Sequence, residues 1–141
     1  MTDAPQISGL LEAAIYVDDL DAAEAFYAGL LGLEVALKTP EKHVFFRCGQ
    51  TIVLAFLPEI TRVQVAGGRL PVPPHGADGA GHICFAADGP ALDRWAARLT
   101  AAGVAIEADF RWPNGARSIY VRDPAGNSVE FAEPKLWESH A

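Results

Sequence analysis

One ordering of signals occurs twice in this chain, and it limits the folds available more than any other feature. From Leu10 to Leu57 a strand-like apolar run is followed by a helix, a glycine stop and three short strand-like runs. From His82 to Ala132 the same order returns. Glu12 falls on His82 at an offset of 70, Gly32 on Gly103 at 71, and Leu54 on Glu130 at 76. Identity between the halves is slight, so the order of elements carries the repeat rather than the residues. At 141 residues the chain fits one domain, or two very small units sharing a core.

Local patterns define each copy. Leu10 to Val17 reads as a strand ending in Ile15-Tyr16-Val17. Asp21 and Glu24 have capping-box spacing and predict a helix through Leu31, with Phe26 and Leu30 on one face and Gly32 as its stop. Strands are expected at Glu34 to Lys38, His43 to Arg47 and Thr51 to Leu57. In the second copy the strand is His82 to Ala87 and the helix Pro90 to Ala101, with Leu92, Trp95 and Leu99 on its apolar face and Gly103 behind it. Strands follow at Val104 to Asp109, Arg117 to Arg122 and Ser128 to Ala132, the last two joined by the turn Asp123-Pro124-Ala125-Gly126-Asn127. Between the copies, Pro58 to Gly81 is rich in proline and glycine and is expected to be an irregular linker.

Strand alternation then sorts the side chains. Glu12, Ala14 and Tyr16 share one face of the first strand; His82, Cys84 and Ala86 share one face of the fifth; Glu130 and Ala132 share one face of the eighth. Bulky apolar residues take the opposite face each time. A potential ligand beside small residues leaves room for something else to bind. An ionised carboxylate on a half-buried strand is costly unless it is paired or holds a cation. Glu12, His82 and Glu130 are therefore expected as metal ligands, an oxygen and nitrogen set suited to Mn, Fe(II), Co, Ni or Zn. A hairpin that pairs Val121 with Val129 would set Tyr120 opposite Glu130, where its phenol could serve catalysis. Trp112, in its own loop, and His75, in the linker, are candidate substrate contacts.

Composition excludes some partners. The net charge is −7 and no basic cluster is present, which argues against nucleic acid and anionic membrane surfaces. No apolar run approaches the roughly 20 residues that span a bilayer. The first residues carry no basic flank before an apolar stretch, so a cytoplasmic location is expected. Cys48 and Cys84 have no paired spacing and are expected to be free thiols.

The segments Glu12-Ala13-Ala14-Ile15-Tyr16-Val17-Asp18-Asp19-Leu20, Ala25-Phe26-Tyr27 and Leu31-Gly32-Leu33 resemble the opening module of the vicinal oxygen chelate superfamily. Gly81-His82-Ile83-Cys84-Phe85-Ala86 and Asp123-Pro124-Ala125-Gly126-Asn127-Ser128-Val129-Glu130 resemble its closing module. This superfamily includes glyoxalase I, extradiol dioxygenases, methylmalonyl-CoA epimerase, fosfomycin-resistance enzymes and bleomycin-binding proteins. The resemblance implies an α+β fold of two βαβββ modules forming an eight-stranded, incompletely closed barrel around a divalent metal. It implies a single domain over 1–141, with modules at 8–58 and 79–134, a linker at 59–78, and a homodimer. The family's ligand positions fall on Glu12, Leu54, His82 and Glu130, and three of these four can bind metal. Leu54 departs from the pattern, since glyoxalase I carries a Glu there and the epimerase a polar ligand. Glu12 stands where extradiol dioxygenases and fosfomycin enzymes have His.

Three functional expectations follow. One is a metal-dependent enzyme, dioxygenase-like or lyase-like, acting on a small molecule that chelates the metal through adjacent oxygens. The second is a metal-free protein that sequesters a small molecule at a dimer cleft, as in the bleomycin-resistance branch. The third is a degenerate member kept for protein–protein contact.

Overall fold

A computed structural model of the chain describes residues 3–63 and 70–138; the middle of the expected linker, 64–69, lies outside the described residues. The elements are β1 (Glu12–Tyr16), α1 (Leu20–Glu24) running on into a π-helical turn (Ala25–Leu30), β2 (Glu34–Thr39), β3 (His43–Cys48), β4 (Thr51–Phe56), the single-turn α2 (Pro58–Thr61), β5 (His82–Ala86), α3 (Gly89–Ala101), β6 (Ala108–Arg111), β7 (Arg117–Arg122) and β8 (Ser128–Ala132). A short 3-10 turn, Pro134–Leu136, follows.

The strands form two sheets of four with one topology, ordered β1-β4-β3-β2 and β5-β8-β7-β6. In each, the first strand runs parallel to the last of its own unit, and the remaining neighbours are antiparallel. This is the α+β, two-module fold of an eight-stranded barrel left open. Register repeats as faithfully as order: Glu12 pairs with Ile52 as His82 pairs with Ser128, and Ala14 pairs with Leu54 as Cys84 pairs with Glu130.

One face of each sheet packs into a shared core. Ile15, Val44, Phe46, Val53 and Ala55 from the first sheet join Ile119, Val121, Val129 and Phe131 from the second. Leu20, Phe26 and Tyr27 from the first helical segment and Leu92 and Leu99 from α3 complete the same cluster. Burying each large apolar side chain contributes about 1.5–3 kcal/mol, and this common interior is what makes two small units one body. Polar ties reinforce it. The Tyr27 hydroxyl donates to Asp123 Oδ2 at 2.7 Å, fully inside the protein. Burial, and then the Asp123 charge, push that phenol far above the ordinary tyrosine range, so it stays a donor. Asn127 Nδ2 donates to the Tyr16 carbonyl at 2.9 Å, and the Gly81 amide donates to Asn127 Oδ1 at 2.8 Å.

Most element boundaries agree with the sequence-based expectation to within a residue or two, and three features differ. Asp19, not Asp21, caps α1, accepting from the Ala22 amide at 3.0 Å. Glu24 turns instead to Lys38, 2.6 Å away on β2. The ladder of β6 begins at Ala108 rather than Val104, because its register against β7 opens with Ala108 opposite Tyr120. The linker holds one regular turn, α2, where Pro58 sits at a first-turn position that needs no amide hydrogen. Gly32 and Gly103 both end their helices with φ near +80° (80° and 79°), a left-handed geometry that favours glycine.

Candidate active site

The faces turned away from the core differ sharply between the two sheets. Across the first sheet the rows read Glu12–Ile52–Arg47, Ala14–Leu54–Phe45 and Tyr16–Phe56–His43. Across the second they read His82–Ser128–Arg122, Cys84–Glu130–Tyr120 and Ala86–Ala132–Ser118. The fold thus presents the same grid twice, with Ala14–Leu54–Phe45 at the centre of one copy and Cys84–Glu130–Tyr120 at the centre of the other.

Glu130 is the centre of the polar copy. It is only 5% exposed, on a strand with buried residues on both faces. Its Oε1 lies 3.2 Å from His82 Nε2, and its Oε2 accepts a 2.6 Å hydrogen bond from the buried Ser118 hydroxyl. The other ring nitrogen of His82, Nδ1, is 3.2 Å from Ser128 Oγ. Ser118 in turn accepts the Trp112 indole N–H at 2.8 Å. Tyr120 pairs with Glu130 across the ladder, in the register that Val121 with Val129 demands. Its ring stacks near that of His82, with centroids 6.2 Å apart, and near that of Phe110, at 5.8 Å.

Two neighbours of Glu130 are held neutral. Burial, followed by the charge and hydrogen bonding of Glu130, pushes the Tyr120 phenol up to about 12. The same causes in the same order push the Cys84 thiol up to about 12. At neutral pH the carboxylate is therefore flanked by a phenol that donates and a thiol that is a poor nucleophile.

The donor pair fits a cation. Ligand atoms about 2.1 Å from one metal and subtending roughly 100° lie about 3.2 Å apart, the separation of His82 Nε2 from Glu130 Oε1. When Nδ1 carries the ring proton and directs it at Ser128, Nε2 turns a lone pair toward a carboxylate oxygen, and two lone pairs at that distance call for a cation or a proton between them. When Nε2 carries it, His82 donates to Glu130. Glu12 does not join them within one chain. It lies exposed on β1, paired with Ile52, and among the described residues no three His, Cys, Asp or Glu side chains of a single chain gather closely enough to hold a metal.

The other two expected contacts, His75 and Trp112, lie in different surroundings. His75 belongs to the aromatic copy: its Nδ1 is 2.6 Å from the Tyr16 hydroxyl, and its ring is edge-on to Phe56 at 4.9 Å. Beside it His43 stacks on Phe45 at 4.2 Å, with a buried Nε2 that has no hydrogen-bond partner among the described residues; burial lowers its pKa. Trp112 spends its N–H on Ser118 and packs with Ala116, Ala132 and Leu136. Ser118 and Ser128 escaped sequence reasoning. The available signal was their face: Ser118 is two residues from Tyr120, and Ser128 two from Glu130, on the same side of their strands.

Known proteins place this geometry in a family. A family model described as the glyoxalase/bleomycin resistance protein/dioxygenase superfamily matches residues 9–131. The chain belongs to that superfamily. Among solved structures, a lactoylglutathione lyase from Agrobacterium tumefaciens is 50% identical, with a TM-score of 0.89 over 94% of this chain and 98% of that one. The fosfomycin resistance protein FosX from Mesorhizobium loti is 23% identical, with a TM-score of 0.66 over 96% and 100% of the two chains. A glyoxalase/bleomycin resistance protein/dioxygenase from Nocardioides is 21% identical, with a TM-score of 0.70 over 92% and 85%. These last two share the fold. A search of the curated proteins gives no match. No helix among the described residues is long and apolar enough to cross a membrane.

Proposed function

We propose that this member of the superfamily is a metal-dependent enzyme of the lyase type, acting on a small molecule that presents two adjacent oxygens. The observation that carries the reading is the His82–Glu130 pair, spaced as neighbouring ligands of one cation and backed on both sides by serine hydroxyls. The resemblance of the chain to a lactoylglutathione lyase at 50% identity supports the reaction class. The third ligand is Glu12 from a second copy of the chain, so that the working form is a homodimer with two sites. A divalent metal held there supplies Lewis-acid polarisation of the substrate's oxygens.

The chain's own groups have separable tasks. His82 and Glu130 bind, with Ser128 and Ser118 fixing their orientation. Tyr120, neutral at working pH, donates its hydroxyl to a substrate oxygen as negative charge develops. Leu54 offers no base at the point equivalent to Glu130.

Purified protein dialysed against Mn, Fe(II), Co, Ni and Zn is expected to retain about one ion per chain. Loaded protein is then expected to act on lactoylglutathione, or on a smaller compound with two adjacent oxygens. His82→Ala and Glu130→Ala should lose both properties. Metal retention in these variants equal to that of the parent would overturn the proposal.

A second reading, metal-free sequestration of a small molecule, draws on the aromatic copy. Tyr16, Phe45, Phe56, His43 and His75 make a ring-lined surface, and the net charge of −7 favours a cationic ligand. Tight binding of a cationic aromatic compound by metal-free protein, unaffected by His82→Ala, would favour it.

A further inference from the structure

The hydrogen bonds behind Glu130 have a fixed direction. An indole nitrogen can only donate, so the 2.8 Å contact between Trp112 Nε1 and Ser118 Oγ uses a lone pair of the serine. A serine hydroxyl has one proton, and here it goes to Glu130 Oε2 at 2.6 Å. Oε2 is thereby an acceptor with its direction spoken for, inside a strand pair where Ser118 is fully buried and Glu130 nearly so. The short distance is that of a charge-assisted bond. The 3.2 Å contact with His82 Nε2 is made by the other oxygen, Oε1.

The relay is anchored at its far end. Trp112 sits in a small apolar cluster with Ala116, Ala132 and Leu136, and Phe110 meets its ring edge-on at 4.9 Å. Its backbone amide is bonded to the Ala116 carbonyl at 2.8 Å, which closes the loop that carries it. The indole N–H therefore has little freedom to leave Ser118, and Ser118 little freedom to leave Glu130.

From this we infer that Trp112 and Ser118 are positioning residues that make Glu130 a one-oxygen ligand, leaving Oε1 for the cation and withholding Oε2. The inference deepens the metal-dependent reading above and rests on it. A carboxylate that binds through one oxygen occupies one coordination position, whereas one binding through both occupies two. The relay thus keeps a position open for a second substrate oxygen, which is what a chelating substrate requires. Neither Trp112 nor Ser118 touches the reacting atoms in this account. Trp112 acts two bonds away from the ligand, and its task is not to stack on a substrate.

The test uses the full chain and Co(II) alone, with no substrate, so that it reads coordination rather than turnover. Parent, Ser118→Ala and Trp112→Phe are titrated with Co(II) while the visible absorption bands and the dissociation constant are recorded. Thermal melting of the metal-free proteins is measured alongside. Ser118→Ala is expected to bind Co(II) about 10- to 100-fold more weakly, the range typical of an outer partner of a metal ligand. Its visible bands should change in position or intensity as the freed second oxygen enters the coordination sphere. Trp112→Phe keeps the ring, removes only the donor, and should fall between parent and Ser118→Ala in both measures. Bands and affinity matching the parent in both variants would overturn the inference while leaving the metal site intact. Should Ser118→Ala fail to fold, Trp112→Phe decides the matter by the same criterion. A parent that takes up no Co(II) would sink the metal-dependent reading itself, and this inference with it; that result is distinct from a parent that binds and variants that match it.

Discussion

Leu54 and Glu130 occupy the same lattice point in the two sheets. Each lies on the strand parallel to the first of its unit, Leu54 beside Ala14 and Glu130 beside Cys84, and each faces an aromatic residue across the antiparallel ladder, Phe45 and Tyr120 respectively. The repeated scaffold thus carries a carboxylate and a phenol at this point in one copy and an aliphatic side chain and a plain ring in the other. The two centres therefore differ in chemistry: one is polar and ionisable, the other apolar.

Substitution at these paired points should have opposite consequences for metal retention. Glu130→Gln keeps the shape and removes the charge, and it should reduce divalent-metal affinity by more than the roughly 10–100-fold expected for an outer-shell partner. Leu54→Gln should leave it within about twofold. Metal content after gel filtration, measured by elemental analysis, checks both. Equal retention by the parent and Glu130→Gln would contradict the assignment of Glu130 as a ligand.

Adjacent residues on β3 should differ just as clearly in stability. Phe46 is fully buried in the shared core, whereas Phe45 is only half-buried on the opposite face. Phe46→Ala should cost about 3–5 kcal/mol through lost burial and the cavity left behind. Phe45→Ala, outside the core, should cost less than about half of that. Urea unfolding monitored by circular dichroism distinguishes the two, and a larger loss for Phe45→Ala would reverse the assignment of faces.

Tyr27→Phe removes a single hydroxyl from the interior. Asp123 Oδ2 would then keep the Asn127 side-chain amide but lose its bond to the phenol. A buried acceptor deprived of one donor costs about 1–3 kcal/mol. The midpoint in urea should drop accordingly with an unchanged slope. A midpoint equal to that of the parent would show that the tie between the units contributes nothing.

Acid should weaken the outer edge of the second sheet. The Arg117 side chain hydrogen-bonds Asp109 through two nitrogens and holds its carboxyl below the usual range; Arg122 does the same to Glu107. A carboxyl depressed in the folded state binds fewer protons than it does unfolded. Its stabilising contribution is thus complete above its ordinary value, 3.8 for Asp109 and 4.5 for Glu107, and fades as pH falls through the lower folded value. Asp109→Asn should flatten the fall of the melting temperature below about pH 4 relative to the parent. An unchanged acid limb would count against the pair. The Arg122–Glu107 pair, about half exposed, should contribute little, and the Arg117–Asp109 pair, with a mostly covered arginine, somewhat more.

Much of this architecture was readable in advance because period and punctuation are local. The bounds of β7 and β8 follow from alternation and from the Asp123–Asn127 turn, and the two glycine stops follow from their place after apolar helices. Asp21 and Glu24 carry the spacing of a capping pair, but Asp19 caps α1 and Glu24 is drawn to Lys38 in the following strand, a contact that helix spacing does not register. The late start of β6 reflects a partner, Tyr120, that local pattern does not register. At the site, alternation put His82 and Glu130 on usable faces but said nothing of which sheet would face which. Glu12 was grouped with them on that basis, and within one chain it stands apart. Ser118 went unnoticed because a strand serine is unremarkable until the fold sets it between an indole and a carboxylate.

The bond from Asn127 to the Tyr16 carbonyl, and that from Arg98 to the Leu30 carbonyl at 2.8 Å, reach from one half of the chain into the other. Such stitching means that neither half is self-sufficient: severed in the linker, each fragment would expose its share of the interior and leave main-chain acceptors without donors.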